Sequence, residues 1–177
     1  MAGDSGSAEG AENLADRLIA ASELHGDFVL SSGKRSTVYF DKFRFLADPA
    51  LLRDVAAAVR ELVPEGVTHL ASPEGAATLL LSAVSLETGL PMVMVRKQRK
   101  EYGTRSQVEG LMREGARVAL IEDVSTTGHQ VEAAARAVTE EGGTVEAIIL
   151  VIDRGGADSL RDSGYRVESV VSLRPKD

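Results

Sequence analysis

The chain has 177 residues, 44% hydrophobic and 27% charged, the balance of one globular domain with a substantial core. A net charge of −7 argues against a general nucleic-acid surface, and the absence of cysteine excludes disulfides, zinc–thiolate sites and cysteine nucleophiles. No apolar run approaches the roughly 20 residues of a membrane span, and the start lacks a secretory pattern, so a soluble cytoplasmic protein is expected.

In chain order, residues 1–10 are Gly, Ser, Ala and acid, which predicts a disordered tail. Leu14, Leu18, Ile19 and Ser22 predict a short amphipathic helix over about Ala11 to Leu24, ended by His25-Gly26. Phe28-Val29-Leu30 and Val38-Tyr39-Phe40 predict two short strands around Ser32-Gly33-Lys34-Arg35-Ser36, a hairpin. Phe28, Phe40, Phe43, Phe45 and Tyr39 all fall in this window, which implies a small aromatic cluster: a cap over the main sheet or a subunit contact. Tyr39 and Phe40 are candidates for lining a flat ring's pocket.

From Asp48 the chain alternates regularly. Asp48-Pro49 caps a helix carrying Leu51, Leu52, Val55, Val59 and Leu62, and Val67 to Ala71 reads as a strand. Ser72-Pro73-Glu74-Gly75 turns into a helix, and Pro91 to Val95 is the next strand. A charged segment without apolar period then runs as a long loop to Gly115. Val118 to Ile121, Val145 to Ile152 and Val167 to Leu173 read as strands, with helices after Gly128 and near Ala157–Asp162. This predicts an α/β fold: a parallel sheet flanked by helices on both faces. The small N-terminal piece covers about residues 11–45 and the α/β core about 46–177, in a single domain from residue 11. Ligands of such sheets bind beyond the C-terminal strand ends, where Ser72, Arg96, Glu122 and Arg154 are expected.

The densest chemistry lies between Val118 and Glu141. A buried strand runs into Glu122-Asp123, then Val124-Ser125-Thr126-Thr127-Gly128, then a helix beginning at His129-Gln130. Free N–H groups and the positive dipole end of that helix would face the turn, and Ser125, Thr126 and Thr127 add hydroxyl donors. The carboxylates would repel a bare anion but accept hydrogen bonds from a ribose diol, so the pattern points to a sugar phosphate. It lacks the Lys of a Walker A loop and the glycines of a Rossmann turn.

Arg96, Lys97, Arg99, Lys100 and Arg105 put five of the chain's 20 basic residues into ten positions. In an acidic chain this is a local anion site, suited to a second anion such as a pyrophosphate leaving group, and its long loop suggests a lid. Arg154 either pairs with Asp153 or holds a substrate carboxylate by a bidentate contact. His69 and His129 lack metal-ligand spacing and read as structural, with His129 within reach of a phosphate, and His25 reads as part of the helix terminus rather than a catalytic group.

These residues resemble the type I phosphoribosyltransferases, in their orotate branch. Ile121 to Gly128 is similar to the family's phosphoribosyl-pyrophosphate motif. Arg96 to Thr104 resembles the catalytic loop, with Val108-Glu109-Gly110 at its far end. Phe28 to Ser36 and Tyr39-Phe40-Asp41 resemble the N-terminal hood, and Asp153-Arg154 stands where the family keeps its orotate-binding Arg. The likeness spans about residues 14–172. It implies the type I phosphoribosyltransferase fold and transfer of phosphoribosyl from phosphoribosyl pyrophosphate to orotate.

In that reading Glu122 and Asp123 hold the ribose, and Val124, Ser125, Thr126, Thr127, Gly128, His129 and Gln130 surround the 5′-phosphate. Arg96, Lys97, Lys100 and Tyr102 receive the pyrophosphate, with Lys100, Glu122 and Asp123 the catalytic set. Thr126, Arg154, Tyr39 and Phe40 place the base. Mg²⁺ arrives held mainly by the substrate rather than by direct protein ligands, and a homodimer is implied whose lids reach the partner's site. Ser31, Glu74, Tyr102 and Gly155-Gly156 depart from common family residues. Two alternatives therefore stand: transfer to another nucleobase, or a regulator that binds phosphoribosyl pyrophosphate without catalysis.

Overall fold

The computed structural model describes residues 12–29, 33, 35–99 and 106–173. The expected tail therefore lies outside the described residues. Contacts divide the chain into two compact units, one ending at Asp54 and the other starting at Val55.

In the first unit, helix α1 (Glu12–Ser22) passes straight into strand β1 (Glu23–Val29). Leu24, His25 and Gly26 are thus strand, where the sequence suggests the end of a helix. The cause is pairing: β1 runs antiparallel to β2 (Arg35–Phe40), with Leu24 opposite Tyr39 and His25 opposite Val38. The register shifts between His25 and Phe28, and a Cβ at Gly26 would lie 3.1 Å from Phe28 Cζ. Gly26 marks a strand irregularity under an aromatic ring.

The aromatic window spans the whole range of exposure. Phe28 and Tyr39 stack with centroids 5.5 Å apart, Phe45 is fully buried, and Phe43 is 55% exposed. Asp41 caps the short helix α2 (Lys42–Ala47) by accepting from Phe43 N at 3.0 Å. Asp48 does the same for α3 (Pro49–Leu62), accepting from Ala50 N and Leu51 N at 2.8 and 3.0 Å. Proline at the first helical position costs α3 no hydrogen bond.

The second unit is a six-stranded sheet ordered β5-β4-β3-β6-β7-β8. Its strands are β3 (His69–Pro73), β4 (Met92–Val95), β5 (Val108–Gly110), β6 (Arg117–Ser125), β7 (Thr144–Asp153) and β8 (Val167–Ser172). All pairs are parallel except β4 with β5. Strand β5 falls where the sequence suggests continuous loop. Three residues show no periodicity, and Gly110 closes the strand only because its φ of +118° and missing Cβ let it approach Met92 O.

The order explains where a site can form. From β3 the chain crosses through α4 (Ala77–Thr88) to β4 on one side. From β6 it crosses through α5 (His129–Glu140) to β7 on the other, and α6 (Gly156–Asp162) continues that way to β8. Right-handed crossovers in opposite directions place α4 and α5 on opposite faces of the sheet. The direction changes between β3 and β6, so a crevice opens at their C-terminal ends.

Core strands are built for burial on both sides: Ile148 to Ile152 and Val118 to Ile121 are wholly inaccessible, and Val131, Ala134, Ala135 and Val138 of α5 pack inward. At the far end of the sheet Arg117 Nε donates to Glu146 at 2.9 Å. This bond and the paired charge hold the Glu146 carboxyl below the usual range and raise Arg117 further. Among the described residues no helix is long and apolar enough to cross a membrane.

Candidate active site

Strand β6 carries the acidic pair inside its ladder rather than beyond its end. Its ten-residue neighbour β7 keeps pairing through Val124↔Ile152 and Ser125↔Asp153, which holds the whole stretch extended. Glu122 and Asp123 are therefore strand residues, 4% and 0% exposed. Ser72 likewise lies within β3, while Arg96 and Arg154 follow directly after β4 and β7. The carboxylates fold toward the main chain: Glu122 Oε1 accepts from Asp123 N at 3.2 Å, and Asp123 Oδ1 from Val124 N at 2.6 Å.

After the pair the chain reaches solvent. Val124 is half-buried, Ser125 buried, and Thr126, Thr127, His129 and Gln130 exposed. Gly128, at φ +79°, begins α5 with no side chain capping the helix. An exposed turn of hydroxyls leading into an uncapped helix start offers amide donors to an anion.

The turn interlocks with the one after β7. Ser125 O accepts from Arg154 N at 2.8 Å. Asp153 Oδ1 accepts from Gly155 N and Ala157 N, at 2.9 and 3.1 Å, and so shapes the start of α6. A Cβ on Gly156 would lie 2.1 Å from Ser125 Oγ and 3.0 Å from Gly128 N. A Cβ on Gly128 would meet Gly156 O at 3.0 Å. Gly156 has no room for any side chain, which gives a packing reason for a residue that departs from the family pattern. Arg154 is half-buried at this junction, directly after β7.

The basic segment leaves β4 with Arg96 half-buried and Lys97 and Arg99 exposed. Arg96 and Lys97 line a cavity of about 370 Å³ together with Pro73, Gln107, His129 and Gln130. Thus the segment's first two cations and the first turn of α5 share one concavity. Lys100 and Tyr102, like Ser31, lie outside the described residues. Tyr39 is 41% exposed and Phe40 half-buried on the hairpin of the first unit.

Sequence reasoning missed the residues that hold the roots of this segment. Gln107 Nε2 donates to Arg96 O at 2.8 Å, Arg96 N donates to Gln107 O at 2.9 Å, and Gln107 N donates to Glu141 Oε1 at 3.3 Å. Glu74 Oε1 accepts from Lys97 N at 3.1 Å. Charge pattern alone gave no signal, because these bonds join residues 11 to 34 positions apart through the main chain.

Residues 44–173 match the phosphoribosyl transferase domain family. The chain is 43% identical over 164 residues to the orotate phosphoribosyltransferase of Methanopyrus kandleri, covering 91% of this chain and 88% of that enzyme. It is 42% identical to the orotate phosphoribosyltransferase of a Nocardioides species, covering 93% of each. Among solved structures, orotate phosphoribosyltransferase from Aeropyrum pernix superposes with a TM-score of 0.79 at 32% identity, over 90% of this chain and 93% of that one. The Mycobacterium tuberculosis enzyme in complex with phosphoribosyl pyrophosphate gives 0.78 at 28% identity, over 92% and 95%. Sequence and fold agree over nearly the full length, and the chain belongs to the orotate phosphoribosyltransferases.

Proposed function

We propose that this chain transfers the phosphoribosyl group of phosphoribosyl pyrophosphate to a ring nitrogen of orotate, giving orotidine 5′-phosphate and pyrophosphate. The observation that carries the reading is the uncapped turn Thr126–Gly128, its two threonines exposed, set just after two buried carboxylates where the sheet changes direction.

The ring nitrogen donates its electron pair to the anomeric carbon while the bond to pyrophosphate breaks, its electrons leaving on the pyrophosphate oxygen. Positive charge then builds on the ribose. Glu122 and Asp123 accept hydrogen bonds from the ribose hydroxyls and favour that charge from fixed positions in β6. Thr126, Thr127, Gly128 and the first amides of α5 bind the 5′-phosphate, with Val124, Ser125, His129 and Gln130 around it. Arg96, Lys97, Lys100 and Tyr102 neutralise the departing pyrophosphate. Arg154 and Thr126 hold the base, with Tyr39 and Phe40 as its aromatic neighbours.

The donors fit Mg²⁺ brought by the substrate. The substrate's diphosphate supplies hard oxygens of its own, the donors that Mg²⁺ prefers. Bound there, the ion would offset charge on the leaving group. The working unit is a homodimer in the cytoplasm, its lids reaching across to the partner's site.

Mixing the protein with Mg²⁺, phosphoribosyl pyrophosphate and a panel of nucleobases tests this. Orotate is expected to be consumed with stoichiometric release of pyrophosphate. No turnover across a broad pH range, or preference for another base, overturns the reading.

A further inference from the structure

Beyond the residues that meet substrate, the geometry points to Glu74 as a positioning residue that sets Arg96 and Lys97 against the leaving group. The inference rests on the phosphoribosyl-transfer reading and deepens it. Glu74 makes two contacts with the exit from β4. Its own N–H donates to Val95 O at 2.8 Å, and its Oε1 accepts from Lys97 N at 3.1 Å. Between these two points Gln107 satisfies both main-chain groups of Arg96, at 2.9 and 2.8 Å.

Polar main-chain groups of three successive residues are thereby fixed, at the place where strand gives way to a basic, exposed stretch. Without Glu74 the last of these ties is lost, and Lys97 becomes the first freely rotating residue after β4. The same residues wall the cavity facing His129 and Gln130, so the clamp fixes where two cations stand relative to the phosphate turn.

A carboxylate here looks self-defeating, since it stands near the expected position of a dianionic leaving group. Its hydrogen bond resolves this. One oxygen is committed to the Lys97 amide of the basic stretch, so the carboxylate is tied to the main chain rather than left to meet the phosphates itself, while the Arg96 guanidinium lies 3.8 Å from Glu109. An amide oxygen would serve the bond nearly as well, whereas a methyl group would not.

The test compares Glu74→Ala with Glu74→Gln in steady-state kinetics, alongside exchange of the Lys97 amide proton followed by NMR. Glu74→Ala is expected to raise KM for phosphoribosyl pyrophosphate about tenfold, the scale of one charge-assisted hydrogen bond, with KM for orotate unchanged. Glu74→Gln is expected to restore most of the loss, and to retain the Lys97 amide protection that Glu74→Ala abolishes. If both variants bind phosphoribosyl pyrophosphate as well as or better than wild type, Glu74 merely repels the leaving group and the inference fails. Equal loss in both variants, with no difference in amide protection, also overturns it. Should Glu74→Ala not fold, an unprotected Lys97 amide in the wild-type protein is sufficient to sink it. Absence of any transfer by the wild-type protein would instead remove the function reading, leaving the amide measurement to judge the clamp.

Discussion

At the scale of single residues, the turn before α5 depends on what is missing as much as on what is present. Gly156 brings its Cα against Ser125, and a Cβ would lie 2.1 Å from the Ser125 hydroxyl oxygen. Gly156→Ala must therefore push apart the turns after β6 and β7. Overpacking of this kind costs about 1–3 kcal/mol, so thermal denaturation should show a clearly lowered Tm. Affinity for phosphoribosyl pyrophosphate in calorimetry should fall with it. An alanine variant with native Tm and native affinity would show that the junction yields easily. The motif itself was legible in sequence, because a strand, two acids, hydroxyls and a glycine form a local pattern. Gly156 was not: its neighbour Ser125 lies 31 positions earlier, and contact across that distance leaves no periodic trace.

At the scale of elements, the long strands were legible and the short ones were not. Buried strands such as β7 announce themselves by an unbroken apolar run. Strand β5 has three residues, and β1 begins in a sequence that fits a helix end equally well; each is fixed by its partner strand rather than by its own composition. Extension of β6 through its carboxylates has the same origin, since β7 continues alongside.

The outer end of this strand pair makes a prediction of its own. Glu146 is held below the usual carboxylate range by its bond to Arg117, so the contribution to stability is full above the unfolded-state pKa. It is lost as pH falls through the lowered folded-state value. The Tm gap between wild type and Glu146→Gln should thus be constant around neutral pH and close in acid, while kcat stays unchanged. A gap that widens in acid would contradict the assignment.

At the scale of the whole molecule, the switch in connection direction between β3 and β6 opens the crevice in which we propose the chemistry, and the alternation of strands and helices made the parallel sheet itself readable in advance. The arrangement of subunits is open to a complementation experiment. Lys100→Ala and Asp123→Asn should each lower kcat by about a hundredfold or more. If each lid serves the partner's site, mixing the two inactive variants and letting subunits exchange should restore about a quarter of wild-type activity. Half of the dimers would be mixed, each with one site wholly of native residues. A mixture no more active than its parts would place lid and carboxylates of one site on the same subunit.

The pairing of β4 with β5 carries a last consequence. Because Arg96 and Gln107 face one another as the next rung of that antiparallel ladder, the basic stretch is, in topological terms, the loop of a β-hairpin. Hairpin loops vary in length and sequence without disturbing the strands that bear them. The basic stretch, for which we propose the leaving-group role, can thus vary in length without moving the parallel strands that carry the proposed ribose and phosphate contacts.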